Sequence, residues 1–166
     1  MKEIRPKIKI QLDNIDRIIE ILTLLLVLFI WGFMLFEFPK LPEIIPIHFN
    51  YAGEADDFGS KYNMLFLPII STILYIGITI INRFPHTFNY LVKITEENAE
   101  RQYKIACKMM RLLKFSVVIV FSFLNISIII SAKNQSDSLG LWFLPIVISI
   151  IFLPFIYGIR NSIKAK

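Results

Sequence analysis

The chain has 166 residues, 55% of them hydrophobic and only 19% charged, with 15 Phe and a mean hydropathy of +0.62. A soluble domain of this size needs a larger polar shell, so the composition excludes disorder and argues against an ordinary water-soluble fold. A single cysteine, Cys107, excludes an internal disulfide framework and any multi-cysteine metal site. The net charge of +5 leaves nucleic acid or an anionic membrane surface as partner until its distribution is read.

In chain order, the residues before Ile18 place Ile8, Ile10, Leu12 and Ile15 among charges, a pattern that predicts an interfacial helix on a membrane surface. The first apolar run, 18–36, is interrupted only by Glu20 and meets the length of about 20 residues that a crossing requires. It follows a basic N-terminus, as a secretory signal does. Such a signal, however, has an apolar stretch of about 7–15 residues and a small-residue cleavage site, and this run closes on Phe36, Glu37, Phe38 and Pro39. It is therefore expected to remain as a helix. Runs 62–82, 115–132 and 138–159 contain no charge and show no polar face at helical spacing. The predicted fold class is an all-α membrane protein: four transmembrane helices, a structured extracytoplasmic loop at 37–61 and an amphipathic cytoplasmic helix at about 95–114, in one integral domain over 1–166.

Fifteen of the 18 basic residues fall before the first run, between the second and third, or after the fourth; only Lys40, Lys61 and Lys133 fall on the other side. There they meet Glu37, Glu43, Glu54, Asp56, Asp57 and Asp137. Positive flanks stay cytoplasmic, so both termini are predicted inside the cell membrane. Anionic inner-leaflet lipid then accounts for the basic balance, and no nucleic-acid partner is needed.

The 37–61 loop is long for a link between antiparallel helices. Pro39, Pro42 and Pro46 break helix and Gly53 and Gly59 permit turns, which predicts ordered strand-and-turn structure. Beyond Pro85, a helix is expected from Thr95, with Glu96 and Glu97 in its first turn. Its apolar face carries Ala99, Tyr103, Ala106, Met110 and Leu113; the opposite face carries Glu97, Arg101, Lys104, Lys108 and Arg111. No Pro or Gly intervenes before Ala132, so a continuous helix over 95–132 would span about 57 Å and project beyond the bilayer. Pro68, Pro145 and Pro154 are expected to kink the second and fourth helices. No inverted repeat is visible, although two copies of a four-helix chain could form a larger assembly.

Chemistry concentrates at 41–61. His48, Asn50, Asp56 and Lys61 are the candidate ligand-binding groups and Pro42, Pro46, Gly53 and Gly59 the residues that shape the loop. Such a loop could take a cation, a peptide or a lipid headgroup, or its polar groups could simply satisfy one another. This stretch resembles a membrane-domain family of unknown function found at the N-terminus of SdpI-type immunity and signalling proteins. The family's signature, L-P-x-x-I-P-x-H-[FW]-N-x-x-G-x-x-D-x-x-G-x-K, coincides here with Leu41, Pro42, Ile45, Pro46, His48, Phe49, Asn50, Gly53, Asp56, Gly59 and Lys61. The run 94–114, with Asn98, Tyr103 and Arg111, is similar to the family's cytoplasmic helix. For the longer SdpI-type proteins the resemblance implies protection against a secreted toxic peptide and capture of a repressor at the membrane. For a four-helix chain it implies the loop as the shared element.

A metal site from His48, Asn50, Asp56 and Asp57 is an alternative, without any recognised ligand spacing to support it. A Ser60–His48 nucleophile pair has no elbow motif, and no phosphate-binding or dinucleotide fingerprint implies a cofactor. Within the membrane runs, Asn125 is the amide in mid-helix, flanked by Ser122 and Ser127; it either makes an interhelical hydrogen bond or lines a pathway. A small transporter or channel component would need Asn125 and a Pro145 kink to face a hydrated cavity. Glu20 and Glu37 are expected at helix ends in contact with water, and Trp142 and Tyr62 at the outer interface.

Overall fold

A computed structural model describes residues 5–134 and 138–165; Lys2, Asp137 and Lys166, three of the charges used in the topology argument, lie outside the described residues. Helix α1 (Asn14–Glu37) begins where Asp13 caps it: the Asp13 carboxylate accepts from the Asp16 amide at 2.7 Å, and the Asp16 carboxylate from the Asp13 amide at 3.3 Å. This reciprocal box satisfies two donors that the first turn would otherwise leave open. The helix consequently starts four residues earlier than the apolar run. Residues 5–13 are irregular rather than an interfacial helix, because they are tied to other parts of the chain. The Arg5 guanidinium donates to the Phe88 carbonyl and the Tyr103 hydroxyl to the Pro6 carbonyl.

After a 3-10 turn (Phe38–Lys40), strands β1 (Ile44–Phe49) and β2 (Ala55–Ser60) form an antiparallel hairpin inside the loop for which the sequence predicts strand-and-turn structure, a small sheet in an otherwise helical chain. Two register shifts around His48 bend β1. A second 3-10 turn (Lys61–Leu65) leads into α2 (Phe66–Ile81). Pro68 sits in the first turn of α2, where it removes no helical hydrogen bond. A connection with a 3-10 turn at Pro85–Thr87 ends in a second reciprocal box, Thr95 Oγ1 accepting from the Asn98 amide and Asn98 Oδ1 from the Thr95 amide. It opens α3 (Ala99–Asn134), one unbroken helix of 36 residues, about 54 Å long. Finally, α4 (Phe143–Lys164) begins five residues later than its apolar run, because Gly140 turns the backbone at φ +82. Pro145 therefore lies exposed in the first turn of α4 and kinks nothing; Pro154 is the proline inside that helix.

All four helices are long and apolar enough to cross a membrane. Half of the most apolar stretch of α3 is buried within the protein, against 11–22% in the others. Thus α3 is the central post, and Leu25, Ile73, Ile76, Leu153 and Ile156 point outward. Helices α1 and α3 run parallel in register: Asp16 faces Arg111, Glu20 faces Lys114, Met34 packs with Ile128 and Ile129, and Glu37 pairs with Lys133. On α4, Gly158 has no room for a β-carbon beside Met109, which marks a close approach to α3. Below it the Gln102 amide donates to the Ser162 and Ala165 carbonyls and accepts from the Ser162 hydroxyl, pinning the C-terminal end.

Candidate functional sites at the two ends of the bundle

The hairpin is fixed on three sides. At its base Leu41, Ile45 and Met64 join Met34, Ile128, Ile129 and Ala132 in one apolar cluster. Lys61 pairs with Glu43 at 2.9 Å and lies 5.4 Å from the centre of the Phe38 ring, its side chain only 13% exposed. Gly59 packs so closely on Ile47 that a β-carbon would come within 2.8 Å of it. At its tip, Asn50 Oδ1 accepts from the Ala52 and Glu54 amides, which closes the turn. Gly53 has φ +79, and a β-carbon there would lie 2.7 Å from the Gly140 carbonyl oxygen. The Leu139 amide donates to the Gly53 carbonyl at 2.6 Å, so the tip is hooked onto the α3–α4 connection.

Of the four polar candidates, Asn50 and Lys61 are thus engaged in holding the loop. Asp56 and His48 come together across the strands, Asp56 Oδ1 to His48 Nδ1 at 2.5 Å, with side chains 43% and 66% exposed. Tyr51 and Trp142 are also exposed at this end. Pro46 is buried opposite Phe58, and Pro42 lies in the exposed lead-in to β1. Ser60 caps the 3-10 turn through a hydrogen bond from the Tyr62 amide and pairs with Ile44, at the other end of β2 from His48. The structure therefore brings no Ser–His pair together here. Among the described residues no three His, Cys, Asp or Glu side chains gather around a common point.

The opposite end, where the two termini lie, holds chemistry that the sequence reading missed. Asp13, Asp16 and Glu20 on the entry to α1 interleave with Lys108, Arg111 and Lys114 on α3. Lys108 reaches Asp13 at 2.8 Å, Arg111 lies 3.2 Å from Asp16 and 3.4 Å from Glu20, and Lys114 reaches Glu20 at 2.5 Å. The Lys114 ammonium also donates to the Thr79 hydroxyl at 2.8 Å and stands over the Tyr75 ring. Asp16 and Arg111 are 5% exposed and Lys114 1%. Instead of forming a solvated basic face, the charges of the α3 extension rotate inward from Lys108 onward, and Glu20 is drawn off water into the same ladder. The signal was present: acids at 13, 16 and 20 and bases at 108, 111 and 114 share helical spacings, and Asp16, Arg111 and Lys114 lie among the residues their helices bury. Reading each helix alone hid the pairing. The hydrogen bond from Lys108 holds the Asp13 carboxyl below its ordinary value. Beside the ladder, burial raises the Tyr90 phenol well above its usual range.

Asn125 is fully buried at mid-helix, and neither its amide nitrogen nor its oxygen has a hydrogen-bond partner among the described residues; the same holds for the buried Ser71 hydroxyl. Asn125 and the exposed Pro145 do not face one space. Trp31 donates its indole N–H to Thr72 at 2.9 Å, joining α1 to α2.

Residues 24–72, from the middle of α1 through the hairpin into α2, match the family model described as a domain of unknown function, DUF1648. A protein of Archaeoglobus fulgidus whose name reads "Uncharacterized protein" is 32% identical over 147 residues, covering 80% of this chain and 79% of that protein. No solved structure matches the chain. An identity of that extent over most of both chains makes them one family: this chain belongs to the family of the Archaeoglobus fulgidus protein and carries the DUF1648 domain at residues 24–72.

Proposed function

We propose that the chain is a single integral domain of the cell membrane with both termini in the cytoplasm. In this reading the hairpin is its extracytoplasmic recognition surface for a ligand of the peptide class. The observation that carries it is the His48–Asp56 pair: on a hairpin locked at base and tip, these two chemically capable side chains are left exposed. They bond to each other and stay in contact with water, while Asn50 and Lys61 hold the frame. The clustering of basic residues in the two terminal segments and in the connection between the second and third helices supports the orientation. The likeness of the loop to that of SdpI-type proteins supports an immunity or signalling role, and α3 is the element that would pass a ligand's effect to the terminal end, being continuous from one end of the bundle to the other.

Orientation is tested by impermeant maleimide labelling of intact cells. Tyr51→Cys in a Cys107→Ala background reacts from outside and Leu12→Cys does not; the reverse pattern overturns the topology. Recognition is tested by growth of cells exposed to culture supernatants of peptide-secreting competitors. Cells with the wild-type chain outgrow cells lacking it, and His48→Ala with Asp56→Asn removes the advantage at unchanged protein level. Equal sensitivity with and without the wild-type chain overturns immunity.

A further inference from the structure

We propose that the open cavity between the N-terminal segment, α3 and α4 binds the headgroup of a phospholipid that carries a primary ammonium. The cavity is about 370 Å³, in the range of small-molecule pockets, and four of its lining residues are Asp13, Asp16, Lys104 and Lys108. Two carboxylates and two ammoniums make a neutral but strongly dipolar lining, the complement of a zwitterion. Leu12, Ile105 and Tyr157 supply its apolar and aromatic wall.

Asp16 defines the specificity. It is 5% exposed, its Oδ2 is engaged by Arg111 and the Asp13 amide, and among the described residues its Oδ1 has no hydrogen-bond donor. Lys108 stands 3.9 Å from that oxygen while bonded to Asp13 at 2.8 Å, so it does not fill the vacancy. A buried carboxylate oxygen without a donor is costly. A primary ammonium brings three N–H donors and positive charge to this position, whereas a quaternary ammonium brings charge alone. The phosphate is matched to Lys104, whose side chain is 56% exposed and pairs with an equally exposed Glu100 one turn away. Such a pair is weak in water and readily gives way to the singly charged phosphodiester of a lipid headgroup.

The cavity also sits where a headgroup would be. It lies at the first turn of α1, just before the apolar run that starts at Ile18 and is interrupted only by Glu20, and so at the boundary between water and hydrocarbon. The inference rests on the bilayer placement proposed above, but on neither the hairpin's role nor the side to which the termini face.

The test uses the purified full chain in detergent micelles, titrated with phosphatidylethanolamine and phosphatidylcholine of identical acyl chains, with bound lipid counted by native mass spectrometry. The wild-type chain is expected to retain the ethanolamine lipid over the choline lipid roughly tenfold, the ratio that one hydrogen bond to a charged group supplies. Asp16→Asn brings the ratio near one. Because Asp16 also faces Arg111, a second variant, Ile105→Trp, fills the cavity and leaves the ladder intact; it lowers retention of both lipids at unchanged thermal stability. Equal retention of the two lipids by the wild-type chain, or a preference that survives Asp16→Asn, overturns the proposal. Displacement by soluble O-phosphoethanolamine as effectively as by the lipid overturns the assignment to a membrane source. A chain that stays monodisperse without detergent would instead break the bilayer placement, which separates the two failures.

Discussion

The two ends of the bundle handle charge in opposite ways. At the hairpin end His48 and Asp56 meet in water on a loop whose shape is set by backbone hydrogen bonds and close glycine contacts. At the terminal end Asp16, Arg111 and Lys114 are withdrawn from water and held by one another. The difference teaches that a dense motif marks constraint on the backbone, while the strongest electrostatic coupling arises between residues almost a hundred positions apart. At the hairpin, then, charge stays in contact with water; in the ladder, charge fixes how α1 is set against α3.

The sharpest way to break that contrast is to remove one rung. Lys114→Met leaves Glu20 without its closest partner, and a buried pair broken on one side costs about 3–5 kcal/mol. Thermal unfolding in detergent should show a loss of that order, and Lys114→Met combined with Glu20→Met should recover most of it. A double variant no better than the single one would deny the coupling. Next in size is the hairpin tip. Gly53→Val faces both a positive φ and the Gly140 carbonyl, and should cost about 2–3 kcal/mol and expose the tip to protease. Gly140→Ala, with φ +82 but open space around it, should cost only about 1 kcal/mol. Equal effects would mean that the contact between the two glycines contributes nothing.

Smaller still, Asn50→Ala removes the acceptor of two turn amides and should lose about 1 kcal/mol. His48→Ala, in an exposed pair, should change stability by no more than about 0.5 kcal/mol. A larger effect of His48→Ala would make the pair part of the framework. The smallest effect is that of acid on the ladder's mouth. Asp13 has a folded pKa below 3.8, so its contribution is present above that value and fades as pH falls through the lowered one. Hydrogen exchange at residues 5–13 should therefore quicken only below about pH 4, and Asp13→Asn should abolish that dependence.

Much of the fold was legible because lipid-length apolar runs without a polar face have few alternative structures. The starts were harder to read. The onset of α1 is governed by the Asp13–Asp16 box and that of α4 by Gly140, while hydropathy registers only where apolar residues begin. Prolines and glycines disclosed an ordered loop, since their backbone restrictions act locally. They could not disclose which polar residues stay free: Asn50 and Lys61 look as reactive in sequence as His48 and Asp56, and only the turn and the Phe38 ring distinguish them. The ladder escaped because Lys108 and Arg111 were assigned to a face from the periodicity of their own helix, and the acids that turn that face inward belong to a different one.

The hook between Gly53 and the 138–140 segment bears on how the protein is made. Those two parts are separated by about half of the polypeptide, and the second emerges late from the ribosome. The β-ribbon must wait with an undocked apex through the synthesis of α2 and α3, and it gains its last anchor only when the 138–140 segment has been made. Truncation directly after α3 would thus leave a ribbon that is folded at the root and loose at the crown.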